Sequence, residues 1–587
     1  MPNYDLLRQN PFFLDDEHVA WVKDTLENMT KEEKIGHLFC FANYGWEEAE
    51  LARVLDHYKL GAIMGRGNDF EKVWKSNKFI QEHAKIPLLI AANFEAGGDG
   101  IIKKALKTYE DGTPYKYPQC EGTNVGPNLM IGATDDPKYA AMQGYVCAKE
   151  GLAVGANWAF APVIDIDKNW RNPIMATRLY SSKDKLVADC GRAYTIAAQK
   201  EGMAVSIKHF PGDGVDERDQ HLVISINDLS CEEWDATYGA AYKASIDAGA
   251  LSVMVGHIMQ PAYSRKLIPG IADKDIMPAT LAPELLNGLL RGKLGFNGVL
   301  VTDASTMNGF CSAMDRKDAV PGCIAAGCDI FLFTQNVDED YEFMCEGVEN
   351  GTITPERLDE AVMRTLGMKA ALKLPDKKAA GTLIPPIEEA AKIVGCKEFR
   401  DIEKEVADRS VTLVKNNENL LPIDRSKIKR IYLYPIAAGR DFGSTDAELG
   451  GYMKQKLEAE GFEVELFKVP EGREGAQRRA EDMKASYDLL LYVVNLATYS
   501  NQTVVRITWS QPMGFNCPNY IKSIPTAFIS FANPYHLVDV PRIPTFINAY
   551  KFKEATVDAV IDKMLGRSPF KGVNPVDPFC GKWDTRL

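Results

Sequence analysis

The segment from Ser206 to Leu222, SIKHFPGDGVDERDQHL, places two of the chain's eight histidines in a short polar stretch directly after an apolar run. Lys208 and His209 come first, and both are donors suited to hydroxyl or carboxylate groups. Asp219 then precedes His221 by two residues, a spacing at which a carboxylate can fix the tautomer of an imidazole and stabilise its protonated form. Each pair alone is also typical of a solvated loop.

A second candidate is Asp303, in the stretch GVLVTDASTM. A carboxylate at the end of a buried strand costs desolvation energy unless it is paired or used. Such a residue can act as a nucleophile or a base. The alternative is a structural role as the N-cap of the following helix, for which Asp is well suited.

Eight apolar runs precede residue 340, and helical stretches separate them, as expected for parallel strands buried on both faces. The runs are HLFCFANYG, LGAIMGRG, PLLIAANFE, NWAFAPVIDI, AVSIKHF, LSVMVGHIM, GVLVTDAS and CDIFLFT. This alternation predicts a (β/α)8 barrel, with a doubly wound open sheet as the structural alternative. Polar residues follow the carboxyl ends of the runs, which form the active face of such barrels: Asn93, Glu95, Asp165, Lys208, His209, His257 and Asp303.

The predicted barrel occupies residues 1–375 and ends with a helix from Pro355 to Leu374. A linker is expected at 376–396, where two consecutive prolines interrupt the pattern. Residues 397–587 predict a smaller layered α/β domain with an extended tail. Its strand-like runs are SVTLVKN, RIYLYPI, EVELFKV, LLLYVVNL, PTAFISFA and PTFINAY.

The composition narrows the class of protein. A formal net charge of −13 argues against nucleic acid as a partner, because a phosphate backbone requires a basic face. The chain has no apolar run of the roughly 20 residues that a membrane span needs, and its first residues do not resemble a secretory signal. The twelve cysteines are scattered without CxxC spacing. We therefore expect a cytoplasmic protein with reduced thiols, no metal site and no cofactor.

Taken together, KHFPGDG…DQH and GVLVTDASTM resemble glycoside hydrolase family 3, and more closely its bacterial β-N-acetylhexosaminidase branch. The pattern in that branch is KHFPGHG, four residues, then Asp-Ser/Thr-His, and the spacing here agrees without a gap. FAPVIDIDKNWRNPIMATRLYSS, from Phe160, resembles the family's strand-four segment. DRSVTLVKNNENLLPI, from Asp408, resembles the entry to the second domain, so the resemblance covers most of the chain.

The resemblance implies a retaining glycoside hydrolase that removes terminal β-linked N-acetylhexosamine by double displacement through a covalent glycosyl-enzyme. Asp303 would be the nucleophile. His221, held by Asp219, would be the acid/base. Three residues would hold the hydroxyls of a small carbohydrate substrate, namely Lys208, His209 and Arg178.

The chain also departs from the family pattern at two places. The ligand-binding Asp-Gln-Glu-Gly-Gly corresponds here to Asn93-Phe94-Glu95-Ala96-Gly97-Gly98, so Asn93, with help from Glu95, replaces an Asp. Asp213 stands where the branch usually has His. Glycines flank Asp213, and we expect them to let the end of the loop swing as a flap that closes over bound sugar.

Three alternatives remain open at this point. One is a β-glucosidase of the same family, although those relatives usually take the acid/base from a Glu in the second domain. Another is a phosphorylase, because a neutral His does not repel an anionic acceptor as a Glu would. The third is a sugar-binding protein without turnover. The second domain is expected to be a structural buttress, or else to close the pocket with a loop, here or in a dimer.

Overall fold

The computed structural model describes residues 2–104, 115–437, 445–469, 478–504 and 506–587. The described chain divides into two compact units. The first comprises 1–125, 137–168 and 184–400. The second comprises 126–136, 169–183 and 401–587. The domain boundaries predicted at 375 and 397 remain predictions.

The first unit is built on an eight-stranded parallel sheet, and all eight predicted runs contribute a strand. In spatial order the sheet reads β10-β1-β2-β3-β4-β5-β7-β9. A bridge between Val301 and Ile330 joins its two edges, so the sheet forms the predicted barrel and not an open doubly wound sheet. The strands are β1 Phe39–Asn43, β2 Ala62–Gly65, β3 Leu89–Ala92, β4 Trp158–Ala159, β5 Ala204–Phe210, β7 Ser252–Val255, β9 Val299–Thr302 and β10 Phe331–Leu332, and a separate pair is β6 Ser225–Ile226 with β8 Ile258–Met259.

Helices follow the barrel strands and connect each to the next. Those of the first unit are α1 Asp16–Asn28, α2 Lys31–Gly36, α3 Glu48–Tyr58, α4 Phe70–His83, α6 Lys138–Ala153, α7 Asp184–Lys200, α8 Cys231–Trp234, α9 Ala240–Asp247, α10 Pro261–Leu267, α11 Asn308–Cys311, α12 Arg316–Ala326, α13 Val337–Glu349, α14 Pro355–Ala371, α15 Leu374–Ala379 and α16 Ile387–Ile393. A further helical segment, Glu284–Lys293, precedes β9. Among the described residues, no helix combines the length and the apolar character that a bilayer crossing requires. The cytoplasmic location stays a prediction.

The second unit carries a six-stranded sheet in the order β11-β16-β15-β14-β12-β13, in which only β11 runs antiparallel to its neighbour. All six predicted runs form these strands: β11 Thr412–Asn416, β12 Arg430–Ala437, β13 Glu463–Leu466, β14 Leu489–Asn495, β15 Thr526–Ser530 and β16 Thr545–Asn548. Its helices are α5 Asn128–Gly132, α18 Asp446–Ala459, α19 Ala480–Ser486 and α20 Glu554–Met564, while α17 Lys397–Ser410 runs from the first unit into the second. The α/β class predicted for both parts of the chain is confirmed.

Asp329, just before β10, holds the strand that ends at Asp303. Its fully buried carboxylate accepts a hydrogen bond from the Leu300 backbone at 2.9 Å and one from Arg291 at 2.9 Å. Arg357 donates to its other oxygen. The Asp329 carboxylate thus ties β9 to two buried guanidinium groups, and the position of Asp303 depends on this network.

We expect Asp329→Ala to lower the free energy of unfolding by about 3–5 kcal/mol, because it removes the carboxylate that pairs with Arg291 and leaves Arg357 with Glu360 as its partner. Urea denaturation of both proteins measures the change. The control is Asp247→Ala, which removes an exposed partner of Lys243. That variant should lose less than about 1 kcal/mol. Equal losses in the two variants would contradict a structural role for Asp329.

Candidate active site

Asp303 directly follows β9, and its backbone holds it in place. Its amide N–H donates to the Val255 carbonyl of β7 at 2.7 Å. One of its carboxylate oxygens accepts the Ala304 amide at 2.7 Å. The side chain is only 14% exposed. The carboxylate is therefore fixed at the carboxyl end of the barrel with a small solvent-accessible face.

Lys208 and His209 are both buried at the end of β5. The pairing of β5 with β7 shifts register between Ile207 and Phe210, and such an irregularity re-aims side chains that strict alternation would send to opposite faces. The Lys208 ammonium lies 2.7 Å from the Glu95 carboxylate. The His209 Nδ1 lies 2.7 Å from Asp165, whose carboxylate is fully buried. Each residue of the predicted pair therefore has an acidic partner within the barrel.

The contact between His209 and Asp165 leaves the other ring nitrogen of His209 facing Asp303. The His209 Nε2 lies 3.9 Å from an Asp303 carboxylate oxygen. Burial alone would raise the pKa of Asp303, but the nearby His209, His257 and His221 outweigh it and lower that pKa below its ordinary value. The Asp303 carboxylate therefore remains ionised in a mostly dry site.

His221 and Asp219 form the pair that their spacing predicted. The Asp219 Oδ1 accepts the His221 backbone N–H at 2.9 Å and lies 2.7 Å from the His221 Nδ1. Asp219 is fully buried, whereas the His221 side chain is 28% exposed. With Nδ1 engaged, Nε2 is the ring nitrogen left to exchange a proton with a ligand.

The residues around His221 are tied to the segment that follows Asp303. The amides of Asn308 and Gly309 donate to the carbonyls of His221 and Gln220 at 3.0 and 3.1 Å. The Gln220 side chain accepts the His257 amide at 2.8 Å and donates to Asp213 at 3.3 Å. Asp213, which replaces the usual His of the branch, thus supports the loop that carries His221.

The glycines of the turn at Pro211–Gly214 are needed for its close packing. A Cβ on Gly212 would lie 2.1 Å from the Tyr238 ring, and one on Gly214 would lie 2.2 Å from the Ile166 carbonyl. Both glycines have positive φ, +117° and +100°. Their role as a hinge of the flap stays a prediction, as does closure over bound sugar.

One face of α6 positions the loop that contains Asn93 and Glu95. Gln143 donates to the Glu95 carbonyl at 2.9 Å, and Cys147 contacts the Phe94 carbonyl at 3.3 Å. Asn93 itself follows β3 with an exposed side chain. The loop is therefore held through its backbone, which leaves the Asn93 amide available to a ligand.

Glu150, on the same face of α6, anchors this loop from below. Its buried carboxylate accepts the Thr123 amide at 2.7 Å, the Thr123 hydroxyl at 2.8 Å and the Gly395 amide at 2.8 Å. Burial raises the pKa of Glu150 to about 7, although these donors oppose the shift. A Cβ on Gly98 would lie 1.9 Å from the Glu150 Oε2, so the loop passes directly over this carboxylate.

The barrel unit thus brings together seven of the eight predicted site residues: Asn93, Glu95, Lys208, His209, Asp219, His221 and Asp303. Arg178 lies in the segment 169–183, which belongs to the second unit, and its backbone carbonyl accepts a hydrogen bond from Asn128 at 2.7 Å. The strand pattern placed Asp165 and His257 on the active face without a specific role, and it did not single out Glu150. The sequence does contain a signal for Glu150. Gln143 and Glu150 are seven residues apart, a spacing that places two polar side chains on one face of a largely apolar helix.

The family model for the glycosyl hydrolase family 3 N-terminal domain matches residues 30–368. The chain belongs to glycoside hydrolase family 3. A β-N-acetylglucosaminidase/β-glucosidase of Cellulomonas fimi is 44% identical over 98% of this chain and 99% of its own. A β-hexosaminidase of Neisseria gonorrhoeae is 30% identical over 55% of this chain and 88% of its own. The resemblance stated from the motifs is confirmed, and this family 3 protein is a glycosidase.

Two solved structures share the fold of this family 3 enzyme. A β-glucoside phosphorylase, BglX, has 41% identity and a TM-score of 0.90, with 99% of this chain and 100% of that chain covered. A β-N-acetylglucosaminidase from Paenibacillus sp. str. FPU-7 has 22% identity and a TM-score of 0.73, with 94% and 99% covered. The predicted architecture of a barrel followed by an α/β domain is therefore that of solved family members.

Gly98→Ala should weaken sugar binding, because its new methyl group cannot fit beside the Glu150 carboxylate and must push the Asn93–Glu95 loop outward. We expect a rise in KM and a lower melting temperature. The control is Gly451→Ala in α18, where a Cβ meets nothing within 4 Å. That change should leave KM unaltered and stabilise the helix by about 0.5–1 kcal/mol. An unchanged KM for Gly98→Ala would contradict the role of the loop.

Proposed function

We propose that this enzyme cleaves terminal β-linked N-acetylglucosaminides with retention of configuration, with Asp303 as nucleophile and the His221–Asp219 pair as acid/base. One observation carries the proposal. An ionised, mostly buried carboxylate and a partly exposed imidazole with its own buried carboxylate lie on segments joined by backbone hydrogen bonds. This is the pairing that double displacement requires.

In the first step, an Asp303 oxygen attacks the anomeric carbon and forms a glycosyl ester as the bond to the leaving oxygen breaks. The protonated His221 gives its Nε2 proton to that oxygen. In the second step, an acceptor hydroxyl attacks the anomeric carbon, the ester bond breaks and His221 takes the proton. Asp219 stabilises the imidazolium present before the first step and after the second. The second unit supplies no catalytic carboxylate in this scheme.

The proposed sugar ligands are Lys208, His209, Asn93 and Glu95, and the family resemblance adds Arg178. Because Lys208 is neutralised by Glu95 at 2.7 Å, the pair offers donors and acceptors without a net charge, which suits hydroxyl groups. N-acetylglucosamine is our first choice of sugar. The name of the Cellulomonas fimi relative includes both β-N-acetylglucosaminidase and β-glucosidase, so glucose is the alternative.

Phosphorolysis is a second candidate, and a specific observation favours it. The proposed acid/base is an imidazole, and its carboxylate neighbour Asp219 is buried and engaged with the His221 Nδ1 at 2.7 Å. An inorganic phosphate dianion would therefore meet no unpaired acid/base carboxylate as it approaches the glycosyl-enzyme. The solved β-glucoside phosphorylase, at 41% identity over nearly the whole chain, supports this choice of acceptor.

Asp303→Asn should reduce kcat/KM by about 10⁴-fold or more, because an amide cannot form the glycosyl ester. Asp219→Asn removes the carboxylate that fixes the tautomer of His221 and stabilises its protonated form, so kcat/KM should fall by about 10²-fold or more. The matched control in the same loop is Glu217→Gln, a change of an exposed carboxylate that should leave kcat/KM unaltered. A sugar-binding protein without turnover would leave Asp303→Asn indistinguishable from wild type.

Inorganic phosphate should accelerate turnover and yield a sugar 1-phosphate if phosphate is the acceptor. We would follow 4-nitrophenol release from the aryl N-acetyl-β-glucosaminide and the aryl β-glucoside, with and without phosphate. Phosphorus NMR would identify the product. Free sugar as the sole product at every phosphate level would establish hydrolysis, and the ratio of the two kcat/KM values would decide the sugar.

A further inference from the structure

The turn after β1 is built by one side chain. The Asn43 Oδ1 accepts the backbone amides of Gly45 and Trp46 at 2.9 and 2.8 Å. The Asn43 Nδ2 donates to the Ser76 hydroxyl of α4 at 3.0 Å. A turn closed in this way and fastened to a helix has little conformational freedom. It therefore fixes the backbone of Tyr44 at the carboxyl end of the barrel, with the Tyr44 side chain 71% exposed.

Arg66, which follows β2, lies beside that ring. Its amide donates to the Asn43 carbonyl at 3.0 Å. Its guanidinium carbon lies 5.4 Å from the centre of the Tyr44 ring and 4.9 Å from that of Phe333. Two aromatic faces thus hold the guanidinium by cation–π contact and leave its planar N–H edge unspent.

The charge of Arg66 has no acidic partner in the part of the chain that the structure describes, where no carboxylate comes within 4.0 Å of its guanidinium. Most other barrel-mouth cations are matched, as in Lys208 with Glu95. Arg66 is exposed, but its contacts with two aromatic rings restrict its guanidinium, so binding an anion costs it less side-chain entropy than it would cost an arginine without such contacts.

Arg66 stands at the same end of the barrel as the reactive carboxylate. It follows β2, next to the strand that leads to Asn93, and Phe333 follows β10. The Phe333 carbonyl accepts the hydroxyl of Ser305, two residues beyond Asp303. The aromatic pair around Arg66 is therefore connected to the segment that carries the proposed nucleophile.

Arg66 also lines a cavity of about 270 Å³ beside the Asn43 turn. Its other polar or charged lining side chains are those of Asn43, Trp46, Glu47, Glu48, Asn68, Lys72, Lys75, Ser76 and Asn77. Lys72 lies 3.9 Å from Asp69, and Lys75 lies 3.7 Å from Glu71, so both ammonium groups have a nearby carboxylate. Arg66 is the cation of this cavity that has no carboxylate within 4.0 Å in the described chain, while the exposed carboxylates of Glu47 and Glu48 also line the cavity.

We propose that Arg66 is an anion-binding residue that accepts a carboxylate or phosphate group at the mouth of the barrel. The planar guanidinium edge matches either anion with two parallel hydrogen bonds. The inference rests on the proposed function for its purpose. The anion would be either free inorganic phosphate serving as acceptor, or a carboxylate on the second sugar of the substrate.

Two matched disaccharides, together with inorganic phosphate as acceptor, distinguish the two possible sources of the anion. The disaccharides are N-acetylglucosamine β-linked either to N-acetylmuramic acid, which carries a lactyl carboxylate, or to N-acetylglucosamine, which does not. For Arg66→Met we expect the KM for inorganic phosphate or for the N-acetylmuramic acid disaccharide, whichever Arg66 binds, to rise about tenfold or more. The KM for the neutral disaccharide should not change. Arg66→Lys, which keeps the charge but not the fork, should fall between.

The control is Lys75→Met, which removes a cation from the same cavity that already pairs with Glu71 and should alter these KM values by less than about twofold. Melting temperatures verify that the variants fold. An equal loss with the neutral disaccharide would mean that Arg66 holds neutral sugar and would overturn the proposal. No change for phosphate or carboxylate would overturn it as well.

Calorimetric titration of inorganic phosphate and of N-acetylmuramic acid into the wild-type protein and Arg66→Met needs no turnover. Binding of either anion that disappears in Arg66→Met supports the anion site even if the proposed reaction is wrong. If the wild-type protein binds one of these anions but turns over no substrate, the proposed function is contradicted and the Arg66 site is not. Equal binding of the anions by the wild-type protein and Arg66→Met would contradict the Arg66 site and leave the proposed function untouched.

Discussion

The site depends on keeping one carboxylate charged where water is scarce. Asp303 ends a strand inside a barrel, and burial opposes its ionisation. The barrel compensates with imidazoles, chiefly His209, and with the Ala304 amide. His209 can serve only because the buried Asp165 fixes its ring with Nε2 toward Asp303. The line formed by Asp303, His209 and Asp165 therefore restricts which side chains can occupy the positions around it.

Around this line, the supporting contacts come mostly from the backbone. Carbonyls and amides hold the His221 loop to the segment after β9, and α6 grips the Asn93–Glu95 loop through main-chain atoms. The side chains of these two loops are therefore available to contact a ligand. Glu150 shows the cost of that arrangement, since its buried carboxylate needs three donors around it and still has a pKa of about 7.

The sequence predicted the strands well because parallel barrel strands are buried on both faces and read as continuous apolar runs. It overestimated β4, which ends at Ala159, since Pro162 three residues later cannot donate to a ladder. The Asp219–His221 pair was predictable because its two members are neighbours in the chain. Asp165 and Glu150 were not, because their partners lie 44 and 27 residues away and only the fold brings them together. For the same reason no pattern in the sequence assigned 169–183 to the second unit.

The placement of the proposed nucleophile and acid/base on different elements has a further consequence. Asp303 belongs to the barrel wall, whereas His221 belongs to an excursion that leaves β5 through a packed turn and is fastened by main-chain bonds. Main-chain hydrogen bonds do not depend on side-chain identity, so substitutions in the excursion at positions other than Gln220, whose side chain bonds the His257 amide, need not disturb the wall. Such a scaffold separates the proposed nucleophile from the segment that carries the proposed acid/base. Related proteins could then change the acceptor by altering the short loop that carries His221, while the buried barrel wall that carries Asp303 stayed the same.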